Sequence, residues 1–204
     1  KLIDLLRLNM NKLSDKNYTV QLEKITSILR DLEKEYEDSD IEKCALIIYE
    51  IASTNLFYSN LYARLYQELY KKFKWIHKPL NITLKTFIKS YNEITSIHSI
   101  KNYDLFCKII KDNNRRLAIL NFLVQLIKCG IVEINFVYDI VHYIIAATKN
   151  KNTSKDEIQQ LSEHLYIIVK DLKDVLQDDL LFDTIVKHID TYKSMKPIDN
   201  ISYK

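Results

Sequence analysis

The residues of this chain best suited to chemistry are five histidines, three cysteines and one basic, aromatic run, Lys71-Lys-Phe-Lys-Trp-Ile-His-Lys78. His77, His98, His142, His164 and His188 fall on different predicted helices, with no spacing that would gather imidazoles around one metal. They read as ordinary surface or core histidines. Cys44, Cys107 and Cys129 are far apart and odd in number, which fits reduced core thiols of a cytoplasmic protein better than a disulfide framework. No Ser-His-Asp or Cys-His arrangement follows from chain order. A single glycine cannot write a phosphate-cradling loop. The expectation is a chain that is not an enzyme, with no catalytic residue, no cofactor and no metal site.

The basic run mixes cations and aromatics as single-strand RNA sites do, with Lys71, Lys72, Lys74 and Lys78 as candidate phosphate ligands. The preferred reading is plainer: a helix C-terminus, where lysine favours the dipole and Phe73 and Trp75 turn inward. A formal charge of +3 is small for a nucleic-acid protein. A second basic loop, Lys149 to Lys155, would extend such a path. The acidic set Asp171, Asp174, Asp178, Asp179 and Asp183 reads as solvated surface around a helix join.

These side chains need helices to position them. One Gly and two Pro in 204 residues argue against hairpins and sheets. The spacing predicts helices from Leu2 to about Asn11, Asp15 to about Tyr36 with Ser14 as cap, Ile41 to about Ser53, and Tyr58 to Phe73. Pro79 then marks a join, followed by helices at about Thr83–Ile97 and Tyr103–Lys111. The most apolar stretch, Asn113 to Gly130, carries Leu117, Leu120, Val124 and Ile127 in one stripe, with Asn113 and Asn114 as caps and Gly130 as a left-handed stop. Helices over Glu133–Thr148 and onward from the capping box Ser154-Lys-Asp-Glu157 follow, and Asp178 or Asp179 caps a last one. The longest apolar runs are interrupted or too short to span a bilayer, so no membrane association is expected.

Helix starts pair up at a period of roughly 40 residues, as in HEAT and related repeats. The expected fold is all-α, a HEAT-repeat-like α-solenoid of about five antiparallel helix pairs in a single domain over residues 1–204.

Several segments, in order, resemble one family. Leu8-Asn-Met-Asn-Lys-Leu-Ser-Asp-Lys-Asn-Tyr18 is similar to the opening motif of the middle domain of eukaryotic translation initiation factor 4G. Ile47-Ile-Tyr-Glu-Ile-Ala52 with Tyr62-Ala-Arg-Leu65 resembles that family's second helix pair, and Arg115 to Gly130 resembles its central run. Glu157 to Leu172 and the pieces Lys193–Lys196 and Ile201-Ser202 continue the likeness to the end. Departures include Asn55-Leu56 in place of the family's Glu-Pro, and Ala118 and Val124 where small glycines are common.

The resemblance implies a translation initiation scaffold that binds and stimulates a DEAD-box RNA helicase of the initiation factor 4A type. It implies helicase contacts at Met10, Asn11, Lys12, Leu13 and Tyr18, with weak RNA binding as a second activity. Lys1 in place of methionine leaves room for preceding chain, through which a cap-binding protein would be reached. The alternative is an RNA-processing scaffold of the same fold, in nuclear cap binding, splicing or nonsense-mediated decay. An abundance of Lys, Ile, Asn and Tyr reads as an AT-rich genome, pointing to a protist or a large DNA virus.

Leu13 and Tyr18 carry a rival reading. With Ser14 as cap they occupy the two positions of a hydrophobic staple. The expectation from the resemblance is that the same corner is exposed and serves as an apolar anchor.

Overall fold

A computed structural model describes residues 1–94, 102–150, 152–176 and 180–194. Over the described residues the chain is all-α, and within each compact unit antiparallel helices stack in the manner of a solenoid. It divides into two compact units, Lys1–Thr86 and Phe87–Lys204.

The first unit holds α1 (Leu2–Asn11), α2 (Tyr18–Glu35), α3 (Asp38–Ser53), α4 (Ser59–Lys72) and α5 (His77–Thr86), with short 3-10 turns at Asp15–Asn17 and Lys74–Ile76. Helix α1 packs on α2 and α3, and α3 packs in turn on α4 and α5. The stripes that drive this are plain in sequence. Leu61, Leu65 and Leu69 recur every four residues on α4, and Ile25, Ile28, Leu29 and Leu32 on α2, all buried. Each such side chain contributes about 1.5–3 kcal/mol on leaving water. Tyr62 and Tyr66 are packing residues too, whereas Tyr58 is exposed. Tyr66 donates its hydroxyl to the Ile76 carbonyl at 2.7 Å, which satisfies the one polar atom of a fully buried ring.

Pro79 does not break the chain as expected. It lies in the first turn of α5, where the missing N–H has no helical partner to lose. The predicted helix at Thr83–Ile97 is instead the end of α5 and a 3-10 segment, Phe87–Glu93; residues 95–97 lie outside the described residues.

The second unit holds that 3-10 segment, α6 (Tyr103–Lys128), α7 (Asn135–Lys149), α8 (Lys155–Leu176) and α9 (Leu180–Ser194). Helix α6 packs on α8, α8 on α7, and α9 on both α7 and α8. The two helices predicted on either side of Asn113 are one. Propagating a formed helix costs less than nucleating a second one, so a polar patch need not end it. Asn113 caps nothing there; its Oδ1 accepts from the Arg116 guanidinium at 3.0 Å. The apolar stretch behind it is core as expected, with Leu120, Phe122, Leu123, Val124 and Leu126 fully buried.

Two predicted caps are present. Ser154 N–H donates to Glu157 Oε2 at 2.7 Å and Glu157 N–H to Ser154 Oγ at 3.3 Å. Gly130 sits at φ 71, with its N–H on the Ile127 carbonyl and the Ile131 N–H on that of Leu126. That pair of bonds is the Schellman closure of a helix. A Cβ at Gly130 would meet nothing within 4 Å, so Gly130→Ala should cost only the backbone term, about 1 kcal/mol, read as a shifted urea midpoint at constant slope. The caps proposed at Asp178 or Asp179, and the end of the family likeness at residues 195–196 and 201–202, lie outside the described residues.

Candidate functional site: the turn edge of the first unit

The α1–α2 and α3–α4 turns lie side by side, and local hydrogen bonds hold each in place. In the first turn, Asn17 accepts from the Ser14 N–H and donates its amide to the Lys12 carbonyl, both at 2.8 Å. In the second, Asn55 Oδ1 accepts from the Tyr58 N–H at 3.1 Å and Thr54 Oγ1 donates to the Glu50 carbonyl at 2.6 Å. Tyr62 ties them together: its hydroxyl, on α4, donates to the Met10 carbonyl at the end of α1 at 3.1 Å. Burial pushes that phenol upward, so it stays a donor.

Between the turns is a cleft of about 360 Å³ lined by Asn11, Ile51, Thr54, Asn55, Leu56 and Phe57. Phe57 is 92% exposed, with Leu56 and Tyr58 exposed on either side of it. A scattered apolar residue at a surface is ordinary; here three in succession stand exposed beside a cleft. Nearby, the Arg64 guanidinium lies 4.5 Å over the Tyr18 ring and reaches Asp15 at 3.6 Å. That stacking leaves Tyr18 half-buried.

The expected apolar corner is corrected here. Met10 is 0% exposed and Leu13 8%, so both are core side chains and cannot touch a partner. They face inward because α1 packs on both α2 and α3, and Tyr62 draws the Met10 backbone toward α4. Of the five positions named from the resemblance, Asn11 and Lys12 are exposed and Tyr18 is partly so. Leu56, Phe57 and Tyr58, exposed beside them, were not among the positions named. Tyr58 shares the four-residue spacing of Tyr62 and Tyr66, which reads as packing, but α4 begins only at Ser59 and leaves it exposed.

No family model, curated protein or solved structure matches the chain.

Part of the basic run is engaged in contacts within the first unit. Lys71 pairs with Glu68 at 3.4 Å and Lys78 with Glu42 at 2.5 Å. Phe73 is buried, Trp75 donates its indole N–H to Glu33 at 2.7 Å, and His77 stacks on Tyr70 with centroids 3.6 Å apart. Phe73 is thus closed to base stacking, while Trp75 and His77 are half-buried. All four lysines of the run are exposed, Lys71 and Lys78 within surface ion pairs. Lys149 and Lys155, of the second basic loop, are exposed as well. Asp171, from the acidic set, accepts from the Gln125 amide at 2.9 Å and so joins α8 to α6.

Of the cysteines only Cys44 is in the core, where burial raises its thiol; Cys107 is exposed and Cys129 half-buried. Among the described residues no group of three His, Cys, Asp or Glu is placed to hold a metal, and no helix is long and apolar enough to cross a membrane. His98 lies outside those residues. His164 is the one imidazole deep in the core among them: it is 1% exposed, with Nδ1 3.0 Å from the Tyr91 hydroxyl. Burial, reinforced by nearby Arg116, lowers it to about 3. It is a neutral structural group and no acid–base catalyst near neutral pH.

Proposed function

We propose that this chain is a non-catalytic translation initiation scaffold that binds and stimulates a DEAD-box RNA helicase of the initiation factor 4A type. The observation that carries the reading is Phe57, displayed on a hydrogen-bonded turn directly beside Asn11. Asn11 and its neighbour Lys12 are positions at which the family resemblance puts the helicase. The occupant we commit to is the helicase's C-terminal lobe. Phe57 and Tyr58 supply rigid contact area with few rotamers to freeze, and Lys12, the exposed neighbour of Asn11, adds a cation.

A scaffold of this kind works by binding one arrangement of the two helicase lobes better than the others. Its effect on the motor is then limited by that difference in affinity. The alternative, an RNA-processing scaffold of the same fold, would use the same edge on a different DEAD-box protein. Capture of purified helicases by the immobilised chain separates them. Retention of an initiation-type helicase over splicing or decay helicases supports the proposal; the reverse order transfers the edge to RNA processing. Loss of capture by every helicase removes the reading altogether.

A further inference from the structure

The second unit holds a cleft of about 380 Å³ between α7, α8 and the loop that joins them. Tyr143, Ala146 and Ala147 are three and four residues apart and so share one face of α7; Glu157 and Leu161, four apart, share one face of α8. Tyr91, Ile94 and Leu161 form its floor and are almost fully buried. The Tyr143 ring stacks on Tyr91 with centroids 5.0 Å and planes 21° apart, which holds it as a flat wall. Ala146 and Ala147, with one side-chain carbon each, leave the space open. An apolar and aromatic cleft with a few polar groups is the usual form of a small-ligand site.

The polar groups around it have spent their protons. Tyr143 gives its hydroxyl hydrogen to Asn92 Oδ1 at 3.2 Å, and Thr153 gives its own to the Ala147 carbonyl at 2.6 Å. The Ser154 and Glu157 N–H groups at the start of α8 are used within the capping box, so that helix end has no donors to offer an anion there. The exposed amides of Asn150 and Asn152 are the side-chain donors left on the lining. Glu157 is the one ionised group, half-buried, with Oε2 on the Ser154 N–H and Oε1 without a partner among the described residues. Burial raises the Tyr143 phenol and Glu157 adds to the rise, so the carboxylate lies close to the ring. One carboxylate oxygen beside an aromatic face suits a cation that carries only donors. A guanidinium fork wants two carboxylate oxygens, whereas an ammonium needs one. We infer that this cleft binds a primary alkylammonium, its charge on Glu157 Oε1 and the Tyr143 ring, its chain against Ala146, Ala147 and Leu161. A lysine side chain of a partner protein and a free diamine both carry that group. The site lies in the second unit and rests neither on the turn edge nor on the helicase reading.

Titration of the isotope-labelled full chain with n-butylammonium chloride, followed amide by amide in NMR spectra, is the experiment. Saturable shifts are expected at Ala146, Ala147, Thr153 and Glu157; sodium chloride at equal ionic strength, n-butanol and butyrate should not reproduce them. Glu157→Gln keeps the acceptor that the capping box needs and removes the charge, and should weaken binding at least about tenfold. Tyr143→Leu should weaken it about threefold. Ala146→Leu, which fills space and deletes no group, should also weaken it. Circular dichroism confirms that each variant is folded. Nα-acetyl-lysine amide and cadaverine separate the two sources. Binding of the lysine amide at least as tight as that of cadaverine assigns the cleft to a partner's lysine, and weaker binding assigns it to a free diamine. No saturable shift with n-butylammonium, equal shifts with n-butanol, or an affinity that Glu157→Gln leaves unchanged overturns the site.

Discussion

Phe57→Ala should remove helicase capture and leave the fold untouched, while Met10→Ala should do the opposite. Phe57 has almost no buried area to lose, so its truncation belongs with surface substitutions, within about 0.5 kcal/mol of the parent. As a central aromatic of an interface its loss costs about 2 kcal/mol or more, close to thirtyfold in affinity. Met10 is sealed between helices, and truncating it leaves a cavity; the cost is about 2–5 kcal/mol of stability. Denaturant melts of both variants, read beside binding titrations, separate the two roles. A Phe57→Ala chain that binds normally would show the turn edge to be idle surface. A Met10→Ala chain of unchanged stability that fails to bind would return the contact to the residue named from the resemblance.

Acid should destabilise the second unit through His164, and the sign follows from its burial. The folded group is lowered to about 3 by desolvation first and Arg116 second, against an ordinary value of 6.5. Below pH 6.5 the unfolded chain takes up a proton that the folded chain refuses. The contribution of His164 is therefore fully present above pH 6.5 and is lost as pH falls toward 3. The loss approaches about 1.4 kcal/mol per pH unit across that window. Its surroundings make relief difficult. Tyr91, whose phenol is pushed far up by burial, holds Nδ1, and its ring stacks on Tyr143 at 5.0 Å. Arg116 is itself buried and bonded to the neutral Asn113 and Gln160. His164→Gln, which keeps a hydrogen-bonding group and removes the titration, should flatten the stability-against-pH curve between about pH 6 and 4. Parallel curves for parent and variant would mean that the imidazole gains its proton without unfolding.

Local signals were legible in the sequence and longer-range ones were not. Gly130 and the Ser154–Glu157 box could be read directly, because a cap is decided by residues within a turn of one another. The leucine stripe of α4 was legible for the same reason. Pro79 and Asn113 misled, since the tendency of one residue to break or cap a helix yields to what precedes it. The burial of Met10 depends on Tyr62, fifty-two positions along the chain, and periodicity within α1 cannot register that. The exposure of Phe57 is likewise a property of two turns brought together. Resemblance pointed to one corner of the first unit, and two of the positions named there, Met10 and Leu13, have buried side chains.

The central claim is that the turn edge around Phe57 grips a motor protein and favours one arrangement of its lobes. Its most direct test is the steady-state ATPase rate of an initiation factor 4A-type helicase, with saturating RNA, at increasing concentrations of this chain. The expected result is a saturable rise in rate that Phe57→Ala abolishes and Lys78→Ala leaves intact. A rate unaffected by the chain at every concentration, or raised equally by the parent and Phe57→Ala, would contradict the claim.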